Sequence, residues 1–285
     1  MGLIDGKVAI VTGSGAGLGQ SYAQALAREG ASVVVNDFSP EAAEGTVRGI
    51  VDAGGKAVAN VADVGSIEGG ESLLKSALDA FGRVDILVNN AGILRDASLV
   101  KMEESQWDAV MHVHVKALYA ATKPVFTWMK ENGSGGVIVN TTSTAGIRGN
   151  FGQSNYSAAK CGAIGFTNSL AIEGKKFGIR AWNIAPAAAT ALTAHMPDEY
   201  KKVFHIDRVA PTLLYMVSDL SGEQTGKTLM AGGGWVGECR FEVTDGFVPG
   251  EDLSAHDIAK AAEEGQIFFP DRPAKWVTAY GPQSE

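Results

Sequence analysis

The stretch GNFGQSNYSAAKCG, residues 149–162, sets Tyr156 and Lys160 four positions apart among small residues. On a helix, that spacing puts both on one face, with roughly 5–6 Å between their Cβ atoms. A phenol has an ordinary pKa near 10 and is a poor base at neutral pH. An ammonium one turn away favours the phenolate and is expected to lower that pKa. Tyr156 can then exchange a proton with an alcohol or carbonyl oxygen. Ser143 closes the run VIVNTTS, and its hydroxyl can hold the same oxygen. A chance Tyr–Lys pair on the surface is the bland alternative, and the rest of the chain decides between the two.

A second cluster lies near the start. TGSGAGLG puts glycines at 13, 15, 17 and 19 between an apolar run and a helical stretch. Glycine permits the tight turn and lets backbone amides approach a pyrophosphate at the helix N-terminus. Gly13, Gly17, Leu18 and Gly19 are the candidates there. Asp37 ends the next apolar run, about 20 residues on, where a carboxylate can accept hydrogen bonds from ribose hydroxyls. It would also repel a 2′-phosphate, so the expected cofactor is NAD. Asp63-Val64 ends a third run and is a candidate for the adenine amine. Asn90, Ala91 and Gly92, in NNAG, end a fourth.

The elements that must position these residues alternate. Apolar runs at 8–13, 31–37, 56–63, 84–90, 137–143, 180–186 and 227–233 are separated by helical stretches at 18–29, 40–53, 67–81, 103–130, 154–176 and 208–218. Pro124 is expected to bend the long 103–130 helix. Continuous Val/Ile runs mark strands buried on both faces, and the alternation gives a parallel sheet with right-handed crossovers. The expected fold is a doubly wound α/β domain with a seven-stranded parallel sheet, a Rossmann fold, over residues 1–249. An extended C-terminal tail, 250–285, would follow, with Phe268, Phe269, Trp276 and Tyr280 packing on a subunit.

Composition narrows the partners. The 285 residues are 45% hydrophobic with a formal net charge of -8 and no basic run, which argues against nucleic acid. No run approaches eighteen apolar residues, so no membrane span is expected. The N-terminus does not read as a secretory leader, nor GPQSE as a peroxisomal or reticulum address. Cys161 and Cys239 form no CxxC and have no clustered histidines. No disulfide framework or metal site is expected, and a reducing cytoplasm fits.

TGSGAGLG, NNAG, Ser143 and YSAAK, in this order, resemble the short-chain dehydrogenase/reductase family over about residues 5–237. The resemblance implies that Ser143, Tyr156 and Lys160 are catalytic, that Asp37 binds ribose and that Asp63 binds adenine. It implies that Tyr156 and Lys160 also touch the cofactor, and that Ala189 belongs to the loop covering the nicotinamide. A homodimer or homotetramer through the helices at 103–130 and 154–176 is the family expectation.

Two departures matter. The family's fourth catalytic residue is an asparagine that anchors a water relaying protons to the lysine. Here WDAVMHVHVKA puts His114 at that position. A histidine can hold a water through one ring nitrogen, or His114 is a satisfied core residue. His112, two positions away, points to another face of a helix, so a metal pair is not expected. The second departure is APAAAT, where Ala187 replaces the usual glycine after Pro186.

NDF, AGILRD, HVHVKA, GNFGQSNYSAAK, NSLAIEGKK, IAPAAAT and GGGWVGECRFE together resemble a narrower group. These are the dehydrogenase parts of the type 2 peroxisomal multifunctional enzymes and their bacterial single-domain relatives. The group oxidises (3R)-hydroxyacyl-CoA thioesters and has also been called 17β-hydroxysteroid dehydrogenase. The chain is too short for the hydratase and sterol-carrier parts, so the dehydrogenase alone is expected. Arg95 and Arg148, with Arg240 as a weaker candidate, would meet the anionic CoA, and Met196 and Phe204 would either form an apolar lid for the acyl chain or pack the core. A free hydroxysteroid is the alternative substrate. A nucleotide sensor without catalysis is the alternative class, and it has no need of Ser143, Tyr156 and Lys160.

Overall fold

Runs such as VAIV and ILVN are buried at every position, because helices cover both faces of the sheet they enter. In the computed structural model, which describes residues 2–190, 197–248 and 253–270, the chain starts β1 (Val8–Val11), α1 (Gly17–Arg28), β2 (Ser32–Asp37), α2 (Pro40–Asp52), β3 (Lys56–Val61) and α3 (Ile67–Phe81). It continues β4 (Ile86–Asn89), α4 (Glu104–Met111), α5 (Ala117–Glu131), β5 (Gly136–Thr141), α6 (Ala145–Arg148) and α7 (Ser154–Gly174). Then come β6 (Ile179–Pro186), α8 (Asp198–Val203), α9 (Ala210–Val217), β7 (Lys227–Gly232), β8 (Trp235–Cys239) and α10 (Ala255–Glu263).

The strands form one sheet in the order β3-β2-β1-β4-β5-β6-β7-β8. β1 to β7 pair in parallel, as the alternation predicts. Successive residues of one strand feed opposite faces. Val33 and Val35 join Tyr22 and Leu26 of α1 and Leu213 of α9, while Val34 joins Leu73 of α3, Val125 of α5 and Leu170 of α7.

Two elements differ from the expectation. An eighth strand, β8, returns antiparallel along β7. Gly233 and Gly234, at φ +60° and +87°, make the reversal. Exposure along β8 alternates between half-buried and exposed, so no apolar run announces it. The expected 103–130 helix is two helices, α4 and α5, joined by a π-helical turn at His112–Lys116. Pro124 lies inside α5 without ending it.

Buried asparagines cross the sheet in register. Asn36 pairs with Asn60, Asn89 with Asn140, Asn140 with Asn183, and Asn183 with Thr228. Asn36 Nδ2 donates to Asn60 Oδ1 at 2.9 Å and Asn89 Nδ2 to Asn140 Oδ1 at 2.8 Å. Thr167 of α7 bridges Asn140 and Asn183, at 2.8 and 2.7 Å. Asn183 Nδ2 donates to Thr228 Oγ1 at 3.2 Å. Buried amides need such partners, since leaving one unpaired costs about 1–3 kcal/mol.

The chain divides into two units, residues 1–239 and 240–285. Within the second, Ser254 caps α10 through the Asp257 amide, and Thr244 Oγ1 donates to the Ile267 carbonyl at 2.9 Å. Arg240 pairs with Glu242, and Phe268 and Phe269 are exposed. Trp276 and Tyr280 lie outside the described residues.

Candidate active site

β1 has β2 on one side and β4 on the other. The connections leaving these strands diverge, and ligands of open α/β sheets bind at such a reversal. A cavity of about 1050 Å³ lies there.

The glycine loop forms one wall. Gly13 and Gly17 take φ +59° and +56°, a conformation that costs other residues strain. A Cβ on Gly13 would sit 2.7 Å from the Ala91 Cα, and one on Gly19 would sit 2.2 Å from the Gly13 carbonyl oxygen. Thr12 and Asn90 stitch the β1 and β4 connections together. Thr12 Oγ1 accepts from the amides of Asn90 and Ala91 at 3.0 and 3.1 Å, and Asn90 Nδ2 donates to the carbonyls of Thr12 and Gly13 at 3.1 and 3.0 Å.

Ser39 and Ser66 cap α2 and α3 with their hydroxyls, whereas α1 is preceded by Ala16 and has no side-chain cap. Its first amides and the positive end of its dipole suit an anion. Asp37, on the same wall, accepts from the amides of Gly15 and Ser39 at 2.9 and 3.0 Å. Asp63 Oδ1 accepts from the Gly65 amide and Oδ2 meets His112 Nε2, both at 2.9 Å. An anion cradle flanked by two acceptor carboxylates fits an adenine dinucleotide.

The opposite wall carries the titratable groups. Tyr156 lies in the first turn of α7, and the Lys160 Nζ stands 5.6 Å from its ring centroid. Lys160 is wholly enclosed and donates to the Thr141 carbonyl at 2.6 Å, and burial drives its ammonium down to about 7. Burial pushes the Tyr156 phenol up, the Ser143 hydroxyl pulls it down, and the charge of Asp96 pushes it up again. The expected lowering by Lys160 is therefore not what the protein groups give. The burial that brings the pair together strips both of water and disfavours both charges.

His114 occupies the π-helical turn and is 4% exposed. Its ring meets that of Tyr156 edge-on at 5.2 Å. Burial, then the charge of Lys160, lowers its pKa to about 3, so the imidazole is neutral. Nε2 lies 3.0 Å from the Ile93 amide nitrogen and 2.8 Å from the Ile93 carbonyl oxygen. Either tautomer is thus anchored by one backbone residue. Nδ1 and the Thr141 hydroxyl have no hydrogen-bond partner among the described residues. His114, Thr141, Lys160 and Asn89 line a separate cavity of about 10 Å³, room for about one water.

The large cavity is lined by Gly13, Gly17, Leu18, Gly19, Asp37, Asp63, Val64, Asn90, Ala91, Gly92, His114, Ser143, Arg148, Tyr156 and Lys160. The candidates Arg95, Ala189 and Phe204 are not among its lining residues. Arg95 is exposed and donates to the Leu94 carbonyl at 2.8 Å. Ala189 donates its amide to the Phe204 carbonyl at 2.7 Å, while its neighbours Ala188 and Thr190 line the cavity. Phe204 stacks on Tyr200 at 6.3 Å, and Met196 lies outside the described residues.

Sequence reasoning passed over Asn36, Phe38, Asp96 and Gln153, which also line the cavity, as does His112, weighed there only as a metal ligand. Asp96 lies three positions after the NNAG-Ile93 turn. It accepts from Gln153 Nε2 at 2.8 Å, and the Ala97 amide donates to the Gly152 carbonyl at 2.9 Å. These bonds fasten the β4 connection to the loop before α7, a pairing that no local pattern shows. Among the described residues, no group of three or more His, Cys, Asp or Glu side chains could hold a metal ion, and no helix is long and apolar enough to cross a membrane.

With its glycine loop, parallel sheet and Ser–Tyr–Lys wall, the chain belongs to the short chain dehydrogenase family, whose model matches residues 7–201. It is an oxidoreductase of the kind that acts on CH–OH groups. It is 48% identical over 260 residues to the peroxisomal hydratase-dehydrogenase-epimerase of Neurospora crassa, covering 90% of this chain and 28% of that protein. It is 42% identical over 254 residues to the peroxisomal multifunctional enzyme type 2 of Mus musculus, covering 86% and 34%. The chain thus spans about a third or less of the length of these relatives. Among solved structures, a short chain dehydrogenase from Mycobacterium avium superposes with a TM-score of 0.85 at 32% identity, covering 94% of this chain and 98% of that one.

Proposed function

We propose that the protein catalyses NAD-dependent oxidation of a secondary alcohol, a (3R)-3-hydroxyacyl-CoA, to the 3-oxoacyl-CoA. The observation that carries the reading is that Ser143, Tyr156, Lys160 and the glycine loop share one cavity, with Asp37 on its wall. Gly13, Gly17, Leu18 and Gly19 would hold the pyrophosphate, Asp37 the adenosine ribose, and Asp63 and Val64 the adenine. Asn90, Ala91, Gly92, Tyr156, Lys160 and the Ala189 loop would hold the nicotinamide half. When bound, the dinucleotide supplies a hydride-accepting carbon.

The rest is done by side chains of this chain. Ser143 donates to the substrate oxygen and orients it. Tyr156, as phenolate, takes the hydroxyl proton. Lys160, with its pKa drawn down to about 7, takes that proton from the phenol, and a water held by His114 Nδ1 passes it on to solvent.

The acyl-CoA reading draws on the multifunctional enzymes' likeness and on Arg148, which supplies a guanidinium to the cavity. Arg95 belongs to the reading only through movement of its exposed side chain. A homodimer or homotetramer through α5 and α7 accompanies it, supported by Ile172, 78% exposed on α7. Two free cysteines fit a cytoplasmic setting.

The test follows NADH absorbance at 340 nm with a 3-hydroxyacyl-CoA, its N-acetylcysteamine analogue and a 17β-hydroxysteroid. The thioester should win, and Tyr156→Phe should keep NAD binding while losing about 10²–10⁴ in rate. A steroid preferred tenfold would favour the hydroxysteroid alternative. NAD binding with no turnover on any alcohol would favour a sensor.

A further inference from the structure

His112 was set aside as a metal ligand, yet it lines the large cavity and touches a residue at the adenine end. Its Nε2 stands 2.9 Å from Asp63 Oδ2. An ionised carboxylate only accepts, so Nε2 carries the proton and donates. The other oxygen, Oδ1, accepts from the Gly65 amide at 2.9 Å. Two donors therefore fix the carboxylate from two sides, and each oxygen keeps a lone pair for a ligand. Both partners are about half exposed, at 44% and 46%, so the contact borders the cavity and is not part of the core.

The backbone around the pair is built to admit the imidazole. A Cβ on Gly65 would sit 2.3 Å from His112 Nε2 and 2.5 Å from its Cδ2. The ring thus fills the place where any other residue at 65 would put its side chain. His112 also begins the π-helical turn, so its side chain departs where the regular α-helical path of α4 gives way. The hydrogen bond from His112 is also the largest cause holding the Asp63 carboxyl below its usual range.

We propose that His112 is a positioning residue for base recognition: by fixing Asp63 as an oriented, acceptor-only carboxylate, it selects a dinucleotide whose purine carries a 6-amino donor. A 6-oxo purine presents an acceptor in that place and is rejected, because two acceptors then face each other. This inference rests on the dinucleotide reading and on Asp63 meeting the base.

The experiment measures dissociation constants by calorimetry, without turnover, for NAD and for nicotinamide hypoxanthine dinucleotide. These ligands differ only at the purine 6-position and its ring proton. The wild-type protein should prefer NAD by about tenfold or more, as expected for a hydrogen bond to a charged group. His112→Ala should shrink that ratio to about twofold, and His112→Gln, which keeps a donor, should restore part of it. Gly65→Ala should shrink the ratio while leaving His112 in the chain, because the methyl displaces the ring. If His112→Ala weakens both ligands equally with the ratio intact, His112 is merely structural and the proposal falls. Equal wild-type binding of the two ligands would overturn it while leaving the dinucleotide reading in place. Binding of neither would overturn both.

Discussion

Asp37 and Asp96 are carboxylates lining one cavity with different tasks. Asp37 is tied to the glycine loop through the Gly15 amide, so a 2′-phosphate on the ribose would meet a fixed negative charge. A like-charge contact of this kind costs several kcal/mol. The specificity constant for NAD should exceed that for NADP by roughly 10² or more, read from initial rates with each cofactor. Comparable constants would remove Asp37 from the ribose. Asp96 acts on the phenol. Its charge adds to burial in raising the Tyr156 pKa, against the pull of Ser143. Alcohol oxidation needs the phenolate, so its rate rises as pH climbs through that pKa. Asp96→Asn lowers the pKa and should move the acid limb of the oxidation profile to lower pH. A limb that stays put or moves up would mean that Asp96 is not felt at the reacting oxygen.

The break between α4 and α5 puts His114 where a continuous helix would not. The extra residue of a π turn re-aims the side chain, and such turns recur at functional sites. The ring then lies edge-on to Tyr156 and is anchored through Ile93. His114→Ala should lower turnover while leaving the NAD dissociation constant almost unchanged, and His114→Asn should recover part of the loss. Unchanged turnover in the alanine variant would make His114 a packed core histidine. The sequence announced helix and histidine but not the break. WDAVMHVHVKA contains no glycine or proline to mark one, and the signal that was present, Pro124, sits inside α5. The glycine loop, by contrast, was legible because its chemistry is local. The positive φ of Gly13 and Gly17 and the approach of the Gly13 carbonyl to Gly19 lie within one strand–turn–helix. The Asp96–Gln153 and His112–Asp63 contacts join residues 57 and 49 positions apart, and no spacing rule reaches across two strands of a sheet.

At the scale of the molecule, the buried Lys160 is a burden on stability. Enclosure lowers its pKa from the usual 10.5 to about 7. A cation depressed on folding destabilises fully below the folded pKa, and the penalty fades as pH rises toward the unfolded value. Lys160→Met should therefore be inactive yet melt higher than wild type below pH 7, with the gap closing between pH 7 and 10.5. A gap independent of pH would mean that packing, not charge, sets it. The row of asparagines across the sheet has a different bearing, on how the chain finds its pairing at all. Strands such as VAIV and ILVN are buried on both faces. Sliding one against its neighbour by a residue still buries apolar side chains, so hydrophobicity alone tolerates the error. Amides at Asn36, Asn60, Asn89, Asn140 and Asn183 do not. A slip moves each away from its partner on the next strand and strands it in a dry interior, so misaligned sheets are rejected one polar group at a time and the polar row acts as the proofreading index of an otherwise degenerate alignment.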